Sequence, residues 1–172
     1  MIPTTNDKGE YALWDKGKFI GYARMEMFNG RLVLASKKQV LKDLFDHAQR
    51  DGITLILNQG YRTFEQQMEF RKKNIKDKIK LNDESFLLNA PSSEFSPATG
   101  KPGWSNHHDG AAYDIDTVDD KGKLGPAYGW LVKNAITHGF IRTIPTETWH
   151  WEHRPGAEQY SVVPQNHPSW KL

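Results

Sequence analysis

Between Ser105 and Asp114 the chain reads Ser-Asn-His-His-Asp-Gly-Ala-Ala-Tyr-Asp, which gathers two imidazoles, two carboxylates and a glycine into one short stretch. Ionisable groups at this density are costly to bury without partners, so the stretch reads as a site rather than as core. Gly110 permits a tight reversal, because glycine takes φ > 0 without a Cβ clash. His107 and Asp114, on either side of it, can then face one point. A second fragment, Glu147-Thr148-Trp149-His150, adds an imidazole with a carboxylate three residues before it. Two histidines and one aspartate as ligands, with a glutamate left over, match a catalytic zinc site, where a fourth position stays open for water. Glu147 is the candidate general base: a carboxylate beside an activated water takes its proton during attack on a carbonyl and passes it to the leaving amine.

Each ligand has a competitor nearby. Neighbours in an extended chain point to opposite faces, so only one of His107 and His108 can meet the metal. His153 competes with His150, and Asp116 shares strand parity with Asp114. Residue physics alone leaves these choices open. Asp109, Asp116 and Glu152 are candidate acceptors for the free N–H of a ligand imidazole. Under regular alternation Trp149 and Trp151 share a face with Glu147, either walling a pocket or packing.

The elements that must position these groups can be read in order. Residues 10 to 35 read as antiparallel β, with an Asp15-Lys16-Gly17-Lys18 turn and an Asn29-Gly30 type I′ signal. This N-terminal region is expected to be an edge subdomain that covers hydrophobic surface. Ser36 is expected to cap a helix through about Arg50, with Leu41, Leu44 and Ala48 on one face and Gly52 just beyond its end. His47 lies on that helix and reads as a packing or surface histidine. Ile53 to Leu57 is a run of strand length. Thr63-Phe64-Glu65-Gln66 is a capping-box pattern that starts a helix running to about Asn74, leaving Arg62 at the mouth of the strand-to-helix turn. Residues 75–103, first charged and then rich in Ser, Pro, Asn and Gly, read as a long loop or rim beside the site. Asp114 continues into a strand through Val118, Pro126 to His138 reads as a helix ended by Gly139, and a strand from Phe140 is expected to arrive at Glu147–His150. The tail, 155–172, reads as irregular.

The motif Ser105-x-His107-x-x-Gly110-x-Ala112-x-Asp114, followed by Glu147-x-x-His150, resembles the signature of the zinc D-alanyl-D-alanine peptidases of the VanY and VanX type. That family belongs to a wider group with lysostaphin-type peptidases and the hedgehog signalling domain. Gly60-Tyr61-Arg62-Thr63, with Gln67 five residues after the arginine, resembles the family's Gly-Tyr-Arg-Ser segment, so the ordered motifs span about 59–154. The resemblance implies His107, Asp114 and His150 as ligands of Zn²⁺, and Glu147 as the catalytic base. It also implies Arg62 as a catalytic and substrate-binding cation, with Gln67, Ser105 and Trp149 as further substrate contacts. It implies an α+β fold: a small antiparallel sheet carrying the zinc site, flanked by helices, with an N-terminal β-hairpin. The expected activity is hydrolysis of bacterial peptidoglycan stem peptide, foremost as a D-Ala-D-Ala carboxypeptidase with scope for DD-endopeptidase action. The alternatives are an L-Ala-D-Glu endopeptidase of phage endolysin type and a non-catalytic hedgehog-like zinc-bearing binding module, against which Glu147, Arg62 and the full ligand set argue.

The whole chain sets outer limits. Its 172 residues fit a single zinc peptidase domain over 1–172, and a chain of this length buries roughly 70% of its unfolded surface. The balance of 23 basic against 21 acidic residues gives a net charge of +2, too small a field to favour nucleic acid. Mean hydropathy is -0.72 and cysteine is absent, so neither disulfides nor a thiol nucleophile exist. No apolar run approaches the ~20 residues of a membrane span. The N-terminus shows no basic and apolar leader pattern. The expectation is a monomer with no membrane anchor, made in the cytoplasm and reaching the cell wall through phage lysis or a secretion system, with a cytosolic dipeptidase as the other option.

Overall fold

A computed structural model describes residues 2–162, so the last part of the expected irregular tail, 163–172, lies outside the described residues. The chain divides into two compact units, Met1–Met25 with Tyr61–Gly110 and Glu26–Gly60 with Ala111–Leu172.

In the first unit, β1 (Tyr11–Asp15) and β2 (Lys18–Ala23) pair antiparallel, with Asp15 opposite Lys18. Lys16 and Gly17 between them have φ of 47° and 79°, the double positive value of a type I′ turn. Helix α2 is Phe64–Asn74, and the capping box expected of its first turn is complete. The Gln66 N–H donates to the Thr63 hydroxyl at 3.1 Å, and the Thr63 N–H donates to Gln66 Oε1 at 2.9 Å.

Beyond α2 the expectation of a long loop over 75–103 is corrected. The segment holds a 3-10 turn (Lys78–Lys80), helix α3 (Glu84–Asn89) capped by Asp83, and a second 3-10 turn (Ser92–Glu94). Ile75, Leu87, Ala90 and Phe95 form a small buried cluster of their own, with Met68, Leu81 and Phe86 packed on it. These apolar residues are spaced among charged and turn-forming ones with no period longer than one helical turn, so pattern reading does not join them.

In the second unit, β3 (Met25–Phe28) and β4 (Arg31–Leu34) form the expected Asn29-Gly30 hairpin, with φ of 47° and 76° at the turn. A 3-10 turn (Ala35–Lys37) leads into α1 (Lys38–Arg50), so Ser36 is not its cap and Lys37 takes that place without a side-chain bond. The rest of the pattern holds, with Leu41, Leu44 and Ala48 fully buried. The second sheet is antiparallel in the order β5 (Leu57–Gln59), β6 (Ala112–Ile115), β8 (His150–His153), β7 (Phe140–Ile141). β5 begins where the expected strand was to end. Helix α4 (Pro126–Asn134) continues as a 3-10 turn (Ala135–His138) that Gly139 ends with φ of 74°. Tyr113, Ile115 and Trp151 from the sheet meet Leu41 and Leu44 of α1 and Leu131 of α4 in one core. No described helix is long and apolar enough to cross a membrane.

Candidate metal centre and active site

Strand alternation builds the heart of the site. On β6, Tyr113 and Ile115 enter the core, so Asp114 points to the other face; on β8, Trp151 enters the core, so His150 and Glu152 share that other face. Register then sets Asp114 directly opposite His150, and Tyr113 opposite Trp151. Glu152 stands across from Ala112, whose small side chain leaves room for a carboxylate that is only 2% exposed.

The two nitrogens of His150 have different neighbours. Nδ1 is 3.2 Å from Asp114 Oδ1, and Nε2 is 3.3 Å from Glu152 Oε1. Glu152 is itself held by the Thr143 hydroxyl and by Arg154 Nε at 2.8 Å. With Nε2–H donating to Glu152, the lone pair left for a metal is on Nδ1, the arrangement in which a carboxylate fixes the tautomer and orientation of a ligand imidazole. Burial is the largest influence on both groups and works against charge. It is outweighed at His150, where bonds to Asp114 and Glu152 raise the pKa to about 9. At Glu152, bonds to His150, Thr143 and Arg154 likewise overcome burial and lower the pKa to about 2. The two carboxylates that favour the charged imidazole would likewise favour a divalent cation beside it.

Glu147 lies in a turn before β8, its carbonyl accepting the His150 N–H at 3.3 Å and its Oε2 standing 3.8 Å from His150 Nδ1. Its side chain is 38% exposed, so it meets solvent while it adjoins the ligand face. The expected strand through Glu147–His150 is therefore corrected to a turn, and the expected common face of Trp149 and Trp151 with it. Trp149 is half-exposed, and Trp151 is core, with its indole N–H bonded to the Thr148 carbonyl.

His107 is set by the turn that Gly110 closes at φ 76°. Its N–H donates to the Ser105 hydroxyl at 3.3 Å, so Ser105 shapes that turn, and its carbonyl accepts the Arg62 N–H at 3.2 Å. His108 is fully buried, and its Nδ1–H donates to the Arg62 carbonyl at 2.7 Å. Burial chiefly lowers its pKa to about 4, which keeps it neutral. The two adjacent histidines thus hold both sides of the Arg62 peptide backbone, a bracing role for His108 that the sequence reading missed. The His-His pair was its only signal. The Arg62 guanidinium donates from Nη1 to Gln67 Oε1 at 2.8 Å and lies 4.8 Å over the Phe70 ring. Gln67 is buried, and its Nε2 donates to the Gly100 carbonyl at 2.8 Å.

The competitors fall away for physical reasons. His153 packs on the Phe140 ring and takes a bond from Lys37 Nζ at 2.9 Å. Asp116 uses its carboxylate to accept the Val118 N–H. His47 meets the Trp130 ring edge to face and bonds His138. Within the second unit Asp114 and His150 thus stand opposite each other with their donor atoms 3.2 Å apart, and His107 of the first unit is the third donor that the motif implies. Imidazole nitrogens and a carboxylate are donors that suit zinc, whose bonds to N and O ligands run about 2.0–2.2 Å. Glu147 remains outside the ligand set.

Comparison with known proteins gives the chain a family. The family model of the VanY D-alanyl-D-alanine carboxypeptidases matches residues 32–156. A D-alanyl-D-alanine carboxypeptidase of Enterococcus faecalis is 28% identical over 138 residues, covering 74% of this chain and 50% of that protein. The chain spans about half the length of the curated relatives it matches. Among solved structures, VanYB in complex with D-alanine-D-alanine is 28% identical with a TM-score of 0.60, covering 81% of this chain and 83% of that one. A mutant vancomycin resistance D,D-pentapeptidase VanY in complex with Zn(II) is 26% identical with a TM-score of 0.59, covering 88% and 85%. With its motifs in the expected order and a family model spanning most of its length, the chain belongs to the VanY D-alanyl-D-alanine carboxypeptidase family.

Proposed function

We propose that this chain is a zinc-dependent carboxypeptidase that removes the terminal D-alanine from peptidoglycan stem peptides ending in D-Ala-D-Ala. The observation that carries the reading is Asp114 set opposite His150 with the Glu147 carboxylate 3.8 Å from His150 Nδ1, in a chain that the VanY family model matches over residues 32–156. Bound zinc supplies a Lewis-acidic position that polarises the scissile carbonyl and makes water acidic enough to attack near neutral pH. Glu147 takes the proton of the attacking water and delivers it to the departing amine. Glu152 holds the His150 Nε2 proton and so keeps Nδ1 aimed away from the core. Arg62, steadied by Gln67, supplies a fork that pairs with the free carboxylate of the substrate's last residue. A substrate of this kind puts the site of action at the cell wall.

The test is incubation of the purified protein with a stem pentapeptide, its C-terminal amide and a cross-linked dimer, with and without chelator. Chelator-sensitive release of D-alanine from the free acid is the expected result. A cut between L-Ala and D-Glu with D-Ala-D-Ala untouched would overturn it, and cleavage of the dimer would add endopeptidase action.

A further inference from the structure

Among the described residues Arg71 is the largest fully buried side chain, and none of them offers it a carboxylate partner. Its Nη2 donates to the Ala90 carbonyl at 2.5 Å and its Nη1 reaches the Thr99 carbonyl at 3.4 Å. The guanidinium lies 4.0 Å over the Phe95 ring, and Nε has no acceptor. A buried cation without a counter-charge is an expensive way to fill space, and an apolar side chain of similar volume would ordinarily serve α2 better. What the apolar substitute lacks is a rigid fork of donors able to join two separate main-chain carbonyls.

Those carbonyls belong to the two limbs of the 75–103 segment, one just after α3 and the other near its return. Asn74 adds a second hold on the returning limb, its Nδ2 donating to the Thr99 hydroxyl at 2.9 Å. The residue after Thr99 is Gly100, whose carbonyl accepts from Gln67 Nε2. Gln67 and Arg71 are one helical turn apart on α2, so the same face of the helix grips two consecutive carbonyls. The Gly100 bond decides which end of the Gln67 carboxamide faces which way. With the NH₂ committed to Gly100, the oxygen is the end presented to Arg62 Nη1. Were the carboxamide to turn over, two donors would meet and the Arg62 fork would lose its rest.

We propose that Arg71 is a positioning residue for substrate recognition: by clamping Thr99 it holds the Gly100 carbonyl in place, and so fixes through Gln67 the direction of the Arg62 guanidinium. This rests on the reading of Arg62 as the partner of the substrate carboxylate. It gives Arg71 a specific consequence, a loss of preference for peptides with a free C-terminus.

The experiment compares wild type, Arg71→Met, Arg71→Lys and Asn74→Ala as zinc-loaded proteins, on a D-Ala-D-Ala peptide and on its C-terminal amide. In Arg71→Met, zinc content stays at the wild-type level and KM for the free acid rises roughly tenfold, the effect of one misdirected charge-assisted hydrogen bond. The amide is affected far less. Arg71→Lys, which can reach one carbonyl, falls between. In a Gln67→Ala background the Arg71 substitution adds no further loss of discrimination, since both act through one chain of contacts. The Arg62 guanidinium resonances, followed by ¹⁵N NMR, shift in Arg71→Met whether or not the protein turns substrate over. Equal losses on both peptides, additive losses with Gln67→Ala, or unmoved Arg62 resonances with only a lower melting temperature overturn the proposal. If Arg71→Met does not fold, Arg71→Lys and Asn74→Ala are expected to shift discrimination in the same direction, and unchanged discrimination in both overturns it. A wild-type protein that leaves the free acid uncut refutes the carboxypeptidase reading instead, and the Arg62 resonances still decide the role of Arg71.

Discussion

Glu147 and Glu152 are two carboxylates beside one imidazole, and their surroundings assign them different work. Glu152 is buried, takes bonds from His150, Thr143 and Arg154, and is held ionised by them, which makes it a poor acceptor for a substrate proton. Glu147 is partly exposed at the turn and adjoins the Nδ1 side of His150. Glu147→Gln is therefore expected to keep zinc and fold while losing on the order of 10²-fold or more in kcat, the usual scale for general acid–base help. Zinc content measured alongside the rate checks it, and loss of metal would make Glu147 a ligand. Glu152→Gln is expected to do the reverse. All three donors remain, but zinc affinity falls about 10- to 100-fold because the His150 tautomer is no longer held, which competition with a chromogenic chelator reads directly.

Among the elements, the glycines divide into those the packing demands and those it merely tolerates. A Cβ on Gly60 would stand 2.3 Å from the Leu32 carbonyl oxygen of β4, a main-chain atom that cannot swing aside. Gly129, inside α4, would meet nothing within 4 Å. Gly60→Ala is expected to destabilise the protein by roughly 1–3 kcal/mol through overpacking, and Gly129→Ala to stabilise it by about 0.5–1 kcal/mol through helix propensity. Urea unfolding of the two variants tests the pair, and a neutral Gly60→Ala would refute the close approach. The same contrast shows what was legible beforehand. The capping box at Thr63, the Asn29-Gly30 turn and the face of α1 are local devices, and each stands where the sequence places it. The donors are legible because motif order carries them. What joins Ile75, Leu87 and Phe95, or sets Glu152 across from Ala112, is long-range pairing that no local period encodes. The step from strand to turn at Glu147 is hidden for the same reason, since a run ending in Trp-His-Trp satisfies strand propensity equally well on either side of the boundary.

Taken over the molecule, the histidines pull stability in opposite directions as pH changes, and the metal decides which pull is felt. His153 is kept neutral by burial and by Lys37 and Arg154, with its pKa lowered from 6.5 to about 4. His108 is lowered to about 4 mainly by burial. Groups of this kind contribute stability that is present above their unfolded value of 6.5 and is lost as pH falls toward 4. His150 is the opposite case. Raised to about 9 in the absence of metal, it contributes stability that is fully present below 6.5 and is lost as pH climbs through 9. The metal-free chain is thus expected to be most stable near pH 6.5 and to weaken on both sides. Zinc requires His150 without that proton, so loading removes the alkaline loss while leaving the acid one. The stability difference between zinc-loaded and metal-free protein should accordingly widen from pH 6.5 to 8.5, and the metal-free alkaline loss should vanish in His150→Asn. On the acid side, His153→Gln should flatten the fall between pH 6.5 and 4.5, because the amide can still accept from Lys37 but does not titrate. Urea midpoints of the four proteins across this range are the measurement, and a zinc increment that stays constant with pH would show that the Asp114 and Glu152 carboxylates do not hold a proton on His150.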